Sequence, residues 1–248
     1  MEWTDHAIVL SARPHGEAGT IATVLSAAHG RHAGHVPGGQ SAARRAVWQP
    51  GNLLCVRWAG RMADQLGSFS AELLDAAAAA AMEDPFALDI LLAATAVADG
   101  VLPEREPHPE VFAALAALLR AIGLGAALLP GAVAFEAGVL AALGYGLDLE
   151  RCAVTGRPGA LAFVSPRTGR AVSAEAAGEW AEKLFRLPPF MLGRAAATRQ
   201  DIADGLRITG HFLAERPFAA LNRPLPAPRD RLYDRVLAWA AESPDAEA

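Results

Sequence analysis

Between positions 28 and 51 the chain gathers residue types that bind anions and flat rings: Arg31, Arg44 and Arg45, His29, His32 and His35, Trp48, and several glycines. A guanidinium is a planar fork of donors that matches phosphate geometry. Glycine lets a backbone approach a ligand closely, and an indole offers a face on which a base can stack. Together these types point to nucleic acid. A second role stays open for Trp48, that of a buried side chain closing a core. Three histidines at three-residue spacing could ligate a metal, but along an extended strand a step of three alternates faces. Asp84, Asp89 and Asp99 could serve a two-metal nuclease, yet Asp84 followed by Pro85 is better explained as a helix cap and the other two as charges on a helix surface. The glycine-rich stretch lacks the Gly-Lys-Ser/Thr of a phosphate-binding loop, and no catalytic set emerges. His211, in Ile208-Thr-Gly-His-Phe-Leu213, reads as a partly buried structural histidine.

The charge pattern sharpens the same expectation. The net charge of -5 conceals a segregation: residues 1–61 hold six arginines against three acids, residues 62–130 two arginines against ten acids, and residues 131–248 fourteen cations against fourteen acids. The basic head also holds five of the seven histidines and can attract a polyanion, whereas the acidic middle cannot. On this basis Arg31, His32, His35, Arg44, Arg45, Trp48, Arg57 and Arg61 form the candidate nucleic-acid-binding set.

Two cysteines, Cys55 and Cys152, are too few for a disulfide framework and fit a reducing compartment. The first residues form no charged leader with an apolar run behind it. The longest charge-free window, 121–135, falls short of the roughly 20 residues a spanning helix needs. A soluble, cytoplasmic protein without a membrane partner is therefore expected.

The elements that must position the candidate residues follow from period and punctuation. Five short strands are predicted over 7–13, 20–27, 31–36, 52–58 and 65–74, separated by turn signals such as Arg13-Pro-His-Gly16 and Pro37-Gly-Gly39. A five-stranded barrel of the oligonucleotide-binding (OB) type is the leading fold for residues 1–80. Within 52–58, Leu54, Val56 and Trp58 share one face, which places Trp58 in the core. From Asp84 the period becomes helical: one helix over 86–97, a Pro-rich linker at 102–109, a second helix with Val111, Leu115, Leu118 and Ile122 at helical spacing, and a third over 130–143. Residues 149–172 break the pattern as a turn-rich knuckle. Helical period returns over 174–187, after Thr198 with Asp201 in capping-box spacing, and over 230–241. The expected architecture is α+β, with an OB barrel at 1–80 and a helical domain at 81–248 that carries the knuckle.

Strings in fixed order carry a resemblance that these periods do not. Residues 1–10 (MEWTDHAIVL), Arg13-Pro-His-Gly-Glu17, His29-Gly-Arg-His-Ala-Gly34, Val36-Pro-Gly-Gly39, Gln49-Pro-Gly51, Leu149-Glu-Arg-Cys-Ala-Val-Thr-Gly156 and Phe163-Val-Ser-Pro-Arg-Thr-Gly-Arg170 resemble the bacterial RecO family of DNA repair proteins. The resemblance implies an OB barrel, a helical body and often a zinc-binding knuckle. It also implies a non-enzymatic recombination mediator that binds single- and double-stranded DNA and anneals complementary strands. With RecR, such a mediator helps RecA replace single-strand DNA-binding protein (SSB), and it associates with the nucleoid during repair.

The chain departs from the family pattern twice. Cys152 is the only cysteine left in the knuckle and Thr155 takes the second place, so no metal or other cofactor is expected: one thiolate cannot hold a zinc that needs four ligands. Gln40 stands where the family usually has a basic residue. An SSB tail, acidic and ending in phenylalanine, would need an apolar slot beside a cation, for which Leu115, Leu118, Leu119 and Arg120 are the candidates. An OB-containing adaptor working through protein contacts alone is the alternative.

Overall fold

The computed structural model describes residues 1–62 and 65–242. They fall into two compact units, Met1–Leu128 and Leu129–Ala248.

In the first unit, strands β1 (Glu2–His15), β2 (Gly19–Ser26), β3 (Gly30–Val36), β4 (Leu53–Ala59) and β5 (Ser68–Asp75) close a barrel in the order β1-β2-β3-β5-β4. Every expected strand is present. The first is longer than its apolar centre because it serves two neighbours, pairing with β4 from Glu2 to Ile8 and with β2 from Ala7 to His15. A register shift between Val9 and Ser11 lets the strand bend from one partner to the other. Alternation works as β geometry requires: Leu54, Val56 and Trp58 are buried and Arg57 is exposed. With Val9, Val24, Val36 and Phe69 they fill the barrel.

The segment between β3 and β4 contains a short helix, α1 (Ala42–Val47), where the sequence predicted only loop. Its alanines are strong helix formers, but a helix this short owes its place to tertiary contacts. Asn52 supplies one of them, its side-chain amide donating to the carbonyls of Ala46 and Val47 at 2.9 and 3.0 Å.

Helices α2 (Ala77–Ala81), α3 (Pro85–Val101) and α4 (Pro109–Arg120) belong to the unit of the barrel, so the compact unit runs well past the change of period at 80/81. Asp84 caps α3 by accepting from the Ala87 N–H at 2.8 Å, with Pro85 at the first helical position. The Pro-rich linker after α3 lies against β3, where the Arg105 N–H donates to the Arg31 carbonyl at 2.8 Å. That approach requires glycine at position 30: φ there is +66°, and a Cβ would sit 2.0 Å from the Glu106 carbonyl oxygen.

The second unit is not all helical as the sequence predicted. Helices α5 (Leu129–Ala142), α7 (Arg199–Leu213) and α8 (Ala227–Ala241) accompany a three-stranded sheet in the order β7-β6-β8, formed by β6 (Leu161–Val164), β7 (Ala171–Ser173) and β8 (Phe185–Arg186). The turn-rich knuckle thus resolves into a hairpin. The helical period at 174–187 yields only the four-residue α6 (Ala174–Ala177), a 3-10 segment at Gly178–Lys183 and a strand. Gly178 (φ +47°) ends α6, and pairing of Val164 with Phe185 holds β8 against β6. Thr198 and Asp201 form the expected capping box at the start of α7. The apolar stretch Ile122–Ala142 is long enough to cross a membrane by composition. Gly125, at φ 53° and ψ -127°, breaks its helix, leaving the 14 residues of α5 beyond the kink.

Two buried polar features hold this unit together. Arg229 and Glu136, 3% exposed each, pair at 3.0 Å, and the Thr209 hydroxyl donates to the same carboxylate. Cys152 is buried, and its sulfur accepts from the Ser173 N–H at 3.3 Å. Burial pushes that thiol up, but hydrogen bonds from Thr155 and Ser173 outweigh it and bring the pKa down to about 6. His211 sits between the rings of Phe185 and Phe212, its Nε2 3.0 Å from the Pro166 carbonyl oxygen.

Candidate nucleic-acid interface

The barrel sorts the candidate residues by the face each occupies. Along β3, buried positions 30, 32, 34 and 36 alternate with the partly exposed 31, 33 and 35, so Arg31 and His35 lie outside and His32 inside. His32 is 4% exposed, boxed by Trp58, Trp3 and Phe69 with ring centroids 5.0 to 6.2 Å away, and neither ring nitrogen has a hydrogen-bond partner. Burial, reinforced by the nearby charges of Arg105 and His29, pulls its pKa down to about 4. A neutral, enclosed imidazole cannot contact phosphate, which removes His32 from the candidate set.

Arg31 leaves it for a different reason. Its guanidinium donates to Asp99 at 2.8 Å and to Glu104 at 3.3 Å, and the side chain is 17% exposed. Asp99 also accepts from the Ser11 hydroxyl at 2.8 Å, so it is a junction between β1, β3 and α3 and not a solvated helix charge. Arg31 is an internal anchor. Arg57 is exposed but paired with Glu2, and His35 packs edge-on to His15 at 6.0 Å. Trp48 is 4% exposed with its ring 5.7 Å from Phe69, so the core role holds and too little of the side chain is exposed for a base to stack on it.

What remains is the ridge of α1 and its flanks. Arg44 and Arg45 are exposed, and α1 has no acid in its first turn. Arg44 donates to the Pro37 carbonyl. On one side of α1 lies a cleft of about 440 Å³ whose wall includes Arg45 and Arg13; on the other, one of about 330 Å³ bordered by Arg44 and Phe69. Among the described residues no carboxylate lies within ion-pair distance of Arg13, Arg44 or Arg45. Arg61 is exposed as well, in the turn after β4.

Two of these residues escaped the sequence. The predicted first strand ends at Arg13 with a turn behind it, but β1 extends to His15 and carries Arg13 to the cleft. Gln40 proves to be a clamp: its side-chain amide donates to the Gly16 and Gly19 carbonyls at 3.0 and 2.9 Å, and its backbone N–H to Ala18 at 3.1 Å. It ties the tip of the β1-β2 hairpin to the segment leading into α1, holding the cleft's two sides together. Only its position next to Gly38-Gly39 hinted at a role.

The candidate slot on α4 fails. Leu115, Leu118 and Leu119 are 0, 6 and 4% exposed and already packed in the core. The void beside exposed Arg120 holds only about 10 Å³, too little for a phenyl ring. The second unit instead offers an apolar groove of about 580 Å³ lined by Val133, Ala137, Leu147, Leu149, Phe190 and Met191.

Comparison with known proteins decides the family. The model described as Recombination protein O N terminal matches residues 1–77, and Recombination protein O C terminal matches residues 82–223. The chain belongs to the RecO family. Proteins named DNA repair protein RecO from Granulibacter bethesdensis, Gluconacetobacter diazotrophicus and Acidiphilium cryptum are 51, 50 and 50% identical to it. The alignments cover 95 to 96% of this chain and of each relative. The RecO N-terminal match covers the barrel with α1 and its two clefts. In this RecO-family chain no group of three His, Cys, Asp or Glu residues among the described ones could hold a metal.

Proposed function

We propose that this RecO-family protein acts in DNA repair as a strand-handling mediator whose barrel holds single-stranded DNA along the α1 ridge. The observation that carries it is the contrast among the arginines. Arg31 and Arg57 face carboxylates, while Arg13, Arg44 and Arg45 line or crown two adjacent clefts with their charge uncompensated. Uncompensated guanidinium groups around a concavity are what a phosphate backbone requires. Duplex DNA would meet the same ridge through its backbone. Strand annealing, transfer to RecA with RecR, and capture of the SSB tail belong to the same proposal, with the groove of the second unit supplying the apolar slot that α4 lacks.

Three phosphate contacts on single-stranded DNA give a counterion-release slope of about -2, hence about a twentyfold loss of affinity from 50 to 200 mM salt. Fluorescence anisotropy with a labelled oligonucleotide checks this. Arg44→Ala with Arg45→Ala should flatten the slope to about -0.7 for every sequence alike. A salt-independent affinity would overturn the nucleic-acid reading in favour of a protein-only adaptor.

A further inference from the structure

The cleft between the β1-β2 hairpin and α1 has the size and lining of a ligand pocket as well as a charged rim. Its volume of about 440 Å³ falls in the roughly 300–1,000 Å³ range of small-molecule sites. The residues of its wall include Pro14, Pro50, Gln49 and the mostly buried Trp48, with two arginines, Arg13 from β1 and Arg45 from α1. Gln40 fixes the two sides relative to each other through its bonds to Gly16 and Gly19.

Resting on the strand-binding reading above, we propose that this cleft is a one-nucleotide pocket: a single unstacked base enters it while the adjoining phosphates are held by Arg13 and Arg45. The proline rings supply apolar surfaces for the base. A carboxamide, carrying both donor and acceptor, can pair with the edge of any base, so the pocket does not select sequence. It selects strandedness. In a duplex each base is stacked and paired, and extruding one costs a few kcal/mol, so a duplex reaches only the arginines on the rim. A single strand reaches the pocket as well.

Two measurements test this. The wild-type protein should bind an oligothymidylate about tenfold or more tighter than an abasic deoxyribose-phosphate oligomer of equal length, with the same salt slope for both. Filling the cleft with Ala12→Leu and Ala46→Leu, both exposed positions, should remove that difference and leave affinity for a duplex of equal length unchanged. Equal wild-type affinity for the two oligomers overturns the pocket while leaving backbone binding intact, and it requires no variant to fold. Loss of single-strand and duplex binding together in the filled variant also overturns it. Failure of the wild-type protein to bind either oligomer removes the strand-binding reading itself.

Discussion

The second unit and the barrel of the first treat charge in opposite ways. In the second, Arg229 and Glu136 are both 3% exposed and the pair, with Thr209, sits among the helices α5, α7 and α8. In the first, the barrel buries neutral polar groups such as His32, Thr20 and Ser26 but no charged side chain, and its arginines stay at or near the surface. A buried ion pair makes each partner indispensable to the other because an unpaired charge in the interior is costly. An arginine at the surface is free to be spent on a ligand. The same side chain is therefore scaffold where a carboxylate faces it, as at Arg229 and at Arg31, and a candidate ligand-binding group where none does, as at Arg13, Arg44 and Arg45.

The comparison breaks most visibly at its buried members. Arg229→Met should lower the stability of the second unit by about 3–5 kcal/mol, since it strands Glu136. Restoring much of that loss with Glu136→Leu in the same chain, followed by urea denaturation, would show that the cost lay in the orphaned charge. Trp48→Ala should cost the barrel about 3–5 kcal/mol as a core truncation. A variant that kept its melting temperature while losing DNA affinity would return Trp48 to the binding face.

His32 gives the barrel a pH dependence. Its pKa is about 4 in the fold against the ordinary 6.5 of a histidine, so the folded state refuses a proton that the unfolded chain accepts. Stability is unaffected above about pH 6.5, declines as pH falls towards 4 by up to about 3 kcal/mol, and levels off below. Denaturation midpoints across that range should show the decline, and His32→Phe should flatten it.

Arg31 and Gln40 sharpen the comparison with smaller effects. Arg31→Ala should cost about 1–3 kcal/mol of stability, because Asp99 loses its charged donor. Its salt slope for DNA should stay unchanged, the reverse of what Arg45→Ala does. Gln40→Ala should cost about 1 kcal/mol and weaken single-strand binding modestly by freeing the hairpin from the α1 segment. An unaltered affinity would mean that the cleft holds its shape without the clamp.

Much of this was legible in the residues themselves. Short strand-like pieces bounded by turn signals located all five barrel strands, period-two alternation over 52–58 put Trp58 inside, and Asp84-Pro85 and Thr198 with Asp201 marked the helix starts. The knuckle misled because four- and three-residue strands separated by turns carry too few alternations to register as sheet. The apolar spacing of Leu115, Leu118 and Leu119 marked a helix face correctly, but a face built for the core and a face built for a partner have the same period.

The sequence by itself determined the barrel, the helix caps, the segregation of charge and the family, because each depends on local pattern or on strings in fixed order. Only the tertiary structure decided which arginines are free. Arg31 meets carboxylates 68 and 73 residues away, while Arg13 and Arg45 come to one cleft through a long strand and a short helix. Such pairings follow from strand register and hairpin geometry, which bring together residues whose neighbours in sequence carry no trace of the meeting.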